Sequence, residues 1–226
     1  MNYELLLINL EWLPEIFFWA IFLASAYLYF YKFRQGTINY ALYYRRLIVG
    51  LISFRVFYAA LLTISQYYIW SQNKFTQLLL NSPLDLSMPA SGIFTKICQL
   101  SIVNCQKSGY FLFYSYGRFW LNALISIAAA FVFYLFLRAL QKHQARFFEE
   151  GETELGLLSA LIVGWPNFIV FLLLVFITVI LVSVSRRLFF SEIYTTFGVP
   201  FLLSVLLLLL FGNKLTTLLN LNVLYI

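Results

Sequence analysis

The chain has 226 residues, of which 62% are hydrophobic and only 11% are charged. Soluble domains carry about a quarter charged residues, so this composition excludes a water-soluble protein and predicts an all-α, polytopic transmembrane helix bundle. The net charge of +6 does not indicate a nucleic-acid partner, because the basic residues flank apolar runs instead of forming a patch. The lipid bilayer is therefore the first expected partner.

Six apolar stretches predict membrane spans in a single integral domain over residues 1–226. They cover residues 14–31, 47–68, 119–137, 155–165, 167–185 and 196–211. A hydrophilic stretch, residues 71–117, separates the second and third spans and predicts an outer loop. The first span is expected to stay in the mature chain, since Glu4, Glu11 and Glu15 occupy the region where a secretory signal needs positive charge.

The apolar tract at 155–185 has two interpretations. As one helix its 31 residues would be roughly 46 Å long, against a hydrocarbon core of about 30 Å. Gly164-Trp165-Pro166-Asn167 lies inside it, and proline both removes a backbone donor and disfavours helix in the residue before it. The tract is therefore either a short span followed by a tight turn and a longer span, or one long kinked helix.

The distribution of basic residues favours the turn. With the turn, and with the N-terminus outside, nine basic residues lie on the inner side and five on the outer side. Without it the division is eight against six. Basic residues concentrate in cytoplasmic loops, so the count predicts that loops 32–46, 138–154 and 186–195 are cytoplasmic.

The acidic stretch at residues 149–156 is the feature most suggestive of function. It holds four of the nine acidic residues in the chain, immediately before the predicted fourth span. Acidic side chains at the mouth of a membrane span are costly to place and are often functional.

This region resembles the second catalytic site of prepilin peptidases (type IV leader peptidases). That family carries Gly-x-Gly-Asp, Leu-Leu-Ala-Ala-Leu, a Gly-Trp turn, Pro-Phe-Gly-Pro-Phe and a closing Leu-Phe-Gly. The similar segments here are Gly151-Glu152-Thr153-Glu154, Leu157-Leu158-Ser159-Ala160-Leu161, Gly164-Trp165-Pro166, Thr196-Phe197-Gly198-Val199-Pro200-Phe201 and Leu209-Leu210-Phe211-Gly212. Together they cover about residues 119–214 and place Glu154 at the family's second acidic position. The resemblance implies an aspartic-endopeptidase fold in the inner membrane of a prokaryote.

The same resemblance indicates that catalysis is lost. A two-acid peptidase needs two carboxyl groups that share a proton and activate water. The alignment places Lys32 at the first acidic position, and the single aspartate, Asp85, falls in the predicted outer loop. The family's cysteine tetrad for zinc is also missing, and neither a metal nor another cofactor is expected. The predicted function is thus binding or assembly, with prepilin-like signal helices or pilus and secretion proteins as the implied partners.

Lys32 and Glu154 are candidates for an ion pair where the family has its two acids. A pair would offset part of the cost of each charge near the membrane. The alternative is that both side chains extend separately to the inner interface.

Arg55 is predicted to lie about 15 Å into the second span. A mid-membrane arginine is by default a functional residue that faces a partner or a water-filled cavity. No acidic residue is expected at the same depth, so the alternative is a structural contact with backbone carbonyls or lipid phosphate.

Cys98 and Cys105 are candidates for a disulfide bond in the predicted outer loop. Helical spacing of apolar residues over 91–104 argues against it, because one helix would hold the two cysteines about 10 Å apart. A bond would need a turn near Asn104.

An active membrane enzyme of another kind is the alternative function. It would be either a peptidase that uses Glu154 or a relative of prolipoprotein diacylglyceryl transferases. The second option rests on a resemblance of Tyr114-Ser115-Tyr116-Gly117-Arg118-Phe119 and Arg55-Val56-Phe57-Tyr58 to parts of that family. The family's His-Gly-Gly segment is absent here.

Overall fold

The computed structural model describes residues 3–32, 40–80, 105–144, 146, 148–190 and 196–220; for 3–11, 32, 105–108 and 190 it describes the backbone alone. Over these residues every regular element is helical. The helices are α1 Tyr3–Lys32, α2 Tyr40–Gln72, α3 Lys74–Leu80, α4 Cys105–Ser115, α5 Leu121–His143, α6 Glu152–Val163, α7 Asn167–Phe190 and α8 Gly198–Leu218, with a π-helical segment Tyr116–Trp120 between α4 and α5.

The predicted all-α, polytopic membrane fold is confirmed. Within the described part of the chain, five helical stretches are long and apolar enough to cross a membrane. They are Trp12–Tyr31, Tyr40–Gln72, Gly109–His143, Asn167–Phe189 and Gly198–Leu218. A sixth helix, α6, is shorter, with 12 residues, or about 18 Å.

The chain turns between α6 and α7, so the tract at 155–185 is two helices. Helix α6 ends at Val163 and α7 begins at Asn167, with a positive φ of 66° at Gly164 and a cis Trp165–Pro166 peptide between them. The N-terminus of α6 lies beside that of α8, whereas Asn167 at the start of α7 lies beside Gly212 near the end of α8. Helices α6 and α8 are therefore parallel, and α7 returns antiparallel to both.

Helix α6 is the central helix of its unit. Ten of its residues are buried, including both glutamates. It runs parallel to α2, whose Arg45 and Arg55 contact its first and last turns. It runs antiparallel to α5, because Leu137 lies beside Gly156 and Ser126 lies beside Trp165. The short helix α6, the predicted fourth span, thus lies shielded among other helices, as its length would require in a membrane.

The described chain divides into two compact units, Met1–Arg55 with Ala123–Tyr225, and Val56–Asn122. Two compact units can belong to one folding domain, so the single integral domain over residues 1–226 stays a prediction. The first unit holds a large core that includes Leu51, Leu155 and Phe201. Aromatic rings are prominent in it, with Phe133 packed edge-on against Phe171.

The second unit shows helix where the sequence predicted an outer loop. Within 71–117, α3 and α4 are helical because they bury apolar side chains in a small core of their own. Trp70, Leu80 and Phe111 form that core, and the Trp70 and Phe111 rings pack with centroids 5.5 Å apart. Helix α2 also extends beyond its predicted span, because Tyr40, Tyr44 and Trp70 at its two ends are buried. Helix α5 continues past the predicted end at residue 137 to His143.

Candidate functional site at the two ends of helix α6

Glu152, the first residue of α6, joins the N-terminus of that helix to the N-terminus of α8. Its side chain is buried, with 1% of the residue exposed. The Gly198 N–H donates to Oε1 at 2.8 Å, and the N–H groups of Glu149 and Phe197 donate to Oε2 at 3.0 and 3.3 Å. Free N–H groups and the helix dipole make a helix N-terminus favourable for a carboxylate. Glu152 therefore supplies the anion that α8 needs at its buried end.

Glu154 makes a second link, from α6 to α2. Its Oε1 accepts a hydrogen bond from Arg45 Nη2 at 3.1 Å, and its Oε2 accepts one from the Thr153 hydroxyl at 2.8 Å. The glutamate side chain is 9% exposed and the arginine side chain 61% exposed. In this ion pair the glutamate is therefore buried and the arginine is exposed.

We call this end of the unit, formed by Gly151 to Glu154 with Phe197 and Gly198, the acidic end. Two buried tyrosines pack against its glycines. Gly151 has a φ of 85°, and an added Cβ would lie 3.2 Å from the Tyr44 ring. A Cβ on Gly198 would overlap the Tyr29 ring. Both positions need glycine, Gly151 also because its backbone is left-handed.

Arg55 binds the opposite end of α6. Its Nε and Nη2 donate to the Leu161 carbonyl at 3.1 and 2.5 Å, and Nη2 also approaches the Ile162 carbonyl at 3.5 Å. The guanidinium lies over the Phe18 ring, 5.1 Å from its centroid. The last carbonyls of a helix have no partner within it and carry partial negative charge, which a cation offsets.

The turn after α6 has its own hydrogen bonds. The Gly164 N–H donates to the Ala160 carbonyl at 3.0 Å, and the Phe168 N–H to the Gly164 carbonyl at 2.8 Å. The Trp165 N–H donates to the Ser126 hydroxyl of α5 at 2.9 Å. Non-helical backbone inside a membrane is tolerated only where the protein satisfies its polar groups. Arg55 and Ser126 meet that condition here.

The structure brings together four of the predicted site residues and separates a fifth. Gly151, Glu152, Glu154 and Gly198 meet at the acidic end, whereas Arg55 binds the far end of α6. The Arg55 contact is the backbone-carbonyl interaction that the sequence offered as the alternative to a functional cation.

Three other predicted site residues cannot be placed by their side chains. The structure describes only the backbone of Lys32 and Cys105, and Cys98 lies outside the described residues. The Lys32–Glu154 pair and the Cys98–Cys105 bond therefore stay predictions, and the described partner of Glu154 is Arg45.

Arg45 and Tyr44 were missed by the sequence reasoning. Arg45 belongs to the basic pair before the second span, where the sequence indicated only membrane orientation. Its spacing of ten residues from Arg55 could have suggested that one side of α2 follows α6, because ten residues are nearly three turns of a helix.

The two glutamates do not form a carboxyl pair of the peptidase kind. Residues two apart on a helix do not face each other, and here one carboxylate binds α8 while the other binds α2. Over the described residues, no group of three or more His, Cys, Asp or Glu side chains could hold a metal ion.

Tyr114 and Arg118 belong to the second unit. The Arg118 guanidinium donates to the Tyr114 hydroxyl and lies 5.7 Å from the centroid of its ring. Both residues line an open cavity of about 490 Å³ with Tyr110, Phe113 and Gly117.

No family model, no curated protein and no solved structure matches the chain.

Proposed function

We propose that this protein is a non-cleaving, membrane-embedded relative of prepilin peptidases that binds prepilin-like signal helices or the assembly proteins of a pilus or secretion system. The observation that carries this proposal is the bonding of the two glutamates at the acidic end. Glu152 accepts three backbone N–H groups, and both oxygens of Glu154 are hydrogen-bonded.

The bonding of Glu152 argues for a structural role. A carboxylate that activates water must exchange protons during the reaction. Glu152 is buried, and its two oxygens accept three backbone N–H groups. Its role is therefore to join the N-termini of α6 and α8.

The bonding of Glu154 supports the same function by a different route. Arg45 holds one of its oxygens, so the residue at the family's second acidic position already has a cationic partner. Over the described residues its contacts are with Arg45 and Thr153 and with no second carboxyl, whereas the two-acid mechanism requires two carboxyls that share a proton. What remains is a bundle that retains the motifs around a signal-helix site.

The proposed setting is the inner membrane of a prokaryote, with the N-terminus outside and the acidic end at the cytoplasmic face. The basic residues Arg45, Arg46, Arg138 and Lys142 lie at or near that end of their helices, as the positive-inside rule requires. Signal helices of prepilin type would reach the bundle from the lipid phase.

The test is a paired cleavage and binding assay on the full chain in nanodiscs. A fluorescent peptide carrying a prepilin signal and its first mature residues is the probe, and a scrambled apolar helix of the same composition is the control. We expect saturable binding of the signal peptide over the scrambled one, without cleavage over many hours. Cleavage that disappears in Glu154→Ala would contradict the proposal and establish a peptidase that uses Glu154; equal binding of both peptides would contradict the binding function.

A further inference from the structure

A cavity of about 380 Å³ lies at the end of the first unit opposite the acidic end. The middle of α1 and the last turns of α8 form its walls, and the end of α6 and the start of α7, on either side of their turn, form its floor. Glu15, Trp19, Asn167, Asn213 and Lys214 are the polar or amphipathic side chains that line it.

The cavity exists because α6 is short. Helices α6 and α8 begin side by side at Glu152 and Gly198, but α6 has 12 residues and α8 has 21. At 1.5 Å per residue, α8 continues about 13 Å beyond the end of α6. The space beyond the turn is therefore lined by the last part of α8 and by Glu15, Phe18 and Trp19 of α1.

The cavity brings opposite charges together without joining them. Glu15 and Lys214 both line it, and the structure records no ion pair between them over the described residues. Glu15 is near the start of the candidate span Trp12–Tyr31, and Lys214 is near the end of Gly198–Leu218. Both charges therefore lie where a bundle of these helices meets the headgroup layer.

Asn167 supplies an independent indication of a ligand. It lines the cavity, and its side-chain carbonyl oxygen is buried and accepts no hydrogen bond from the described part of the chain. A buried acceptor without a donor costs free energy, so such atoms usually have a partner that the protein itself does not supply.

We propose that this cavity binds a phosphoethanolamine group, which carries a primary ammonium and a phosphate on one short chain. The ammonium donates to the Glu15 carboxylate and to the Asn167 carbonyl oxygen, and Lys214 donates to the phosphate. The group can belong to a phosphatidylethanolamine headgroup or to a soluble molecule. This site is separate from the acidic end and does not depend on the function proposed for it.

The residues predict a preference among headgroups. A choline group has no N–H to donate to Glu15 or Asn167, and a glycerol group brings no positive charge. Leu208, Leu209 and Phe211 line the wall beside the polar residues, and such an apolar wall favours a headgroup that is attached to acyl chains.

The experiment is calorimetric titration of the full chain in a non-ionic detergent. The probes are the dihexanoyl forms of phosphatidylethanolamine, phosphatidylcholine and phosphatidylglycerol, together with O-phosphoethanolamine. We expect the wild-type chain to bind the ethanolamine lipid about tenfold more tightly than either of the other two lipids, as expected for hydrogen bonds to a charged group. If O-phosphoethanolamine binds as tightly as the lipid, the source is soluble; if the acyl chains are needed, it is the membrane.

Variants locate the site. In Glu15→Gln the preference for phosphatidylethanolamine over phosphatidylglycerol should disappear. In Lys214→Gln both of these lipids should bind more weakly than they bind the wild type. Lys142→Gln, at an exposed position on α5, is the matched control and should bind like the wild type. Equal affinity of the wild type for all three lipids, no binding of any probe, or an unchanged preference in a folded Glu15→Gln variant would overturn the proposal. The wild-type comparison stands even if a variant fails to fold.

Discussion

The two ends of helix α6 solve the same electrostatic problem with opposite charges. At the N-terminal end, carboxylates of α6 meet backbone N–H groups and an arginine of its neighbours. At the C-terminal end, the carbonyls of α6 meet the guanidinium of Arg55 from α2. Each end places the charge that the helix dipole favours there.

The difference lies in where the charged side chain comes from and how well it is shielded. Glu152 belongs to α6 itself, is buried, and bonds outward to α8. Arg55 belongs to α2, 106 residues before Leu161 in the chain, and donates to the carbonyls at the end of α6. The Arg45–Glu154 pair is the exposed version of the same arrangement. Shielding therefore ranks these three contacts by their expected effect on stability.

Glu152→Ala is expected to have the largest effect. It leaves three backbone N–H groups without their acceptor, two of them at the start of α8, and should lower the free energy of unfolding by about 3 kcal/mol. Titration of the purified chain with SDS in mixed micelles, followed by tryptophan fluorescence, measures the change. Glu150→Gln, at an exposed neighbouring position, is the control; if the two variants unfold alike, the Glu152 contacts do not hold α8.

Arg55→Leu should have an intermediate effect. It removes the donors to the Leu161 and Ile162 carbonyls in the membrane interior, and we expect a loss of about 2 kcal/mol in the same titration. Arg55→Lys keeps a charge but cannot donate through two nitrogens at once, and should recover only part of the loss.

The matched control for Arg55 is Arg46→Leu. Arg46 lies on the same helix, is exposed, and sits 5.8 Å from the centroid of the Tyr43 ring. A loss in Arg46→Leu as large as that in Arg55→Leu would show that any arginine of α2 contributes equally, and the comparison of the two ends of α6 would fail.

Arg45→Ala should have the smallest effect. Because the arginine side chain is 61% exposed, we expect less than about 1 kcal/mol, decreasing as salt is added. A double-mutant cycle with Glu154→Gln measures the coupling. Coupling well above this value, insensitive to salt, would mean that the pair is shielded in the membrane and that Glu154 is held as firmly as Glu152.

Much of the acidic end could be predicted from the sequence because its signals are local. Four acidic residues directly before an apolar run, with glycines at the right spacing, identify a helix N-terminus that carries charge. Gly164 and Pro166 likewise predicted the turn, since neither residue favours a continuing helix.

The partners of these groups could not be predicted, because they depend on the rotation and depth of helices that are far apart in sequence. Lys32 and Arg45 are both basic residues near ends of predicted spans, and sequence alone does not show that Arg45 reaches Glu154. The same holds for Arg55, whose partners are backbone carbonyls, which every residue has. The start of α2 was placed too late, because Tyr40 and Tyr44 are only moderately apolar yet are buried in the core.

The length of α6 has a consequence for biosynthesis. A helix of 12 residues that begins with two glutamates does not partition into the bilayer alone, since the insertion machinery responds to about 20 apolar residues. The apolar character of α7 has to draw α6 in with it, so 152–190 enters the membrane as one hairpin. Two of the three N–H partners of Glu152, Phe197 and Gly198, lie in residues translated later, so the hairpin reaches its final state only after α8 has been made.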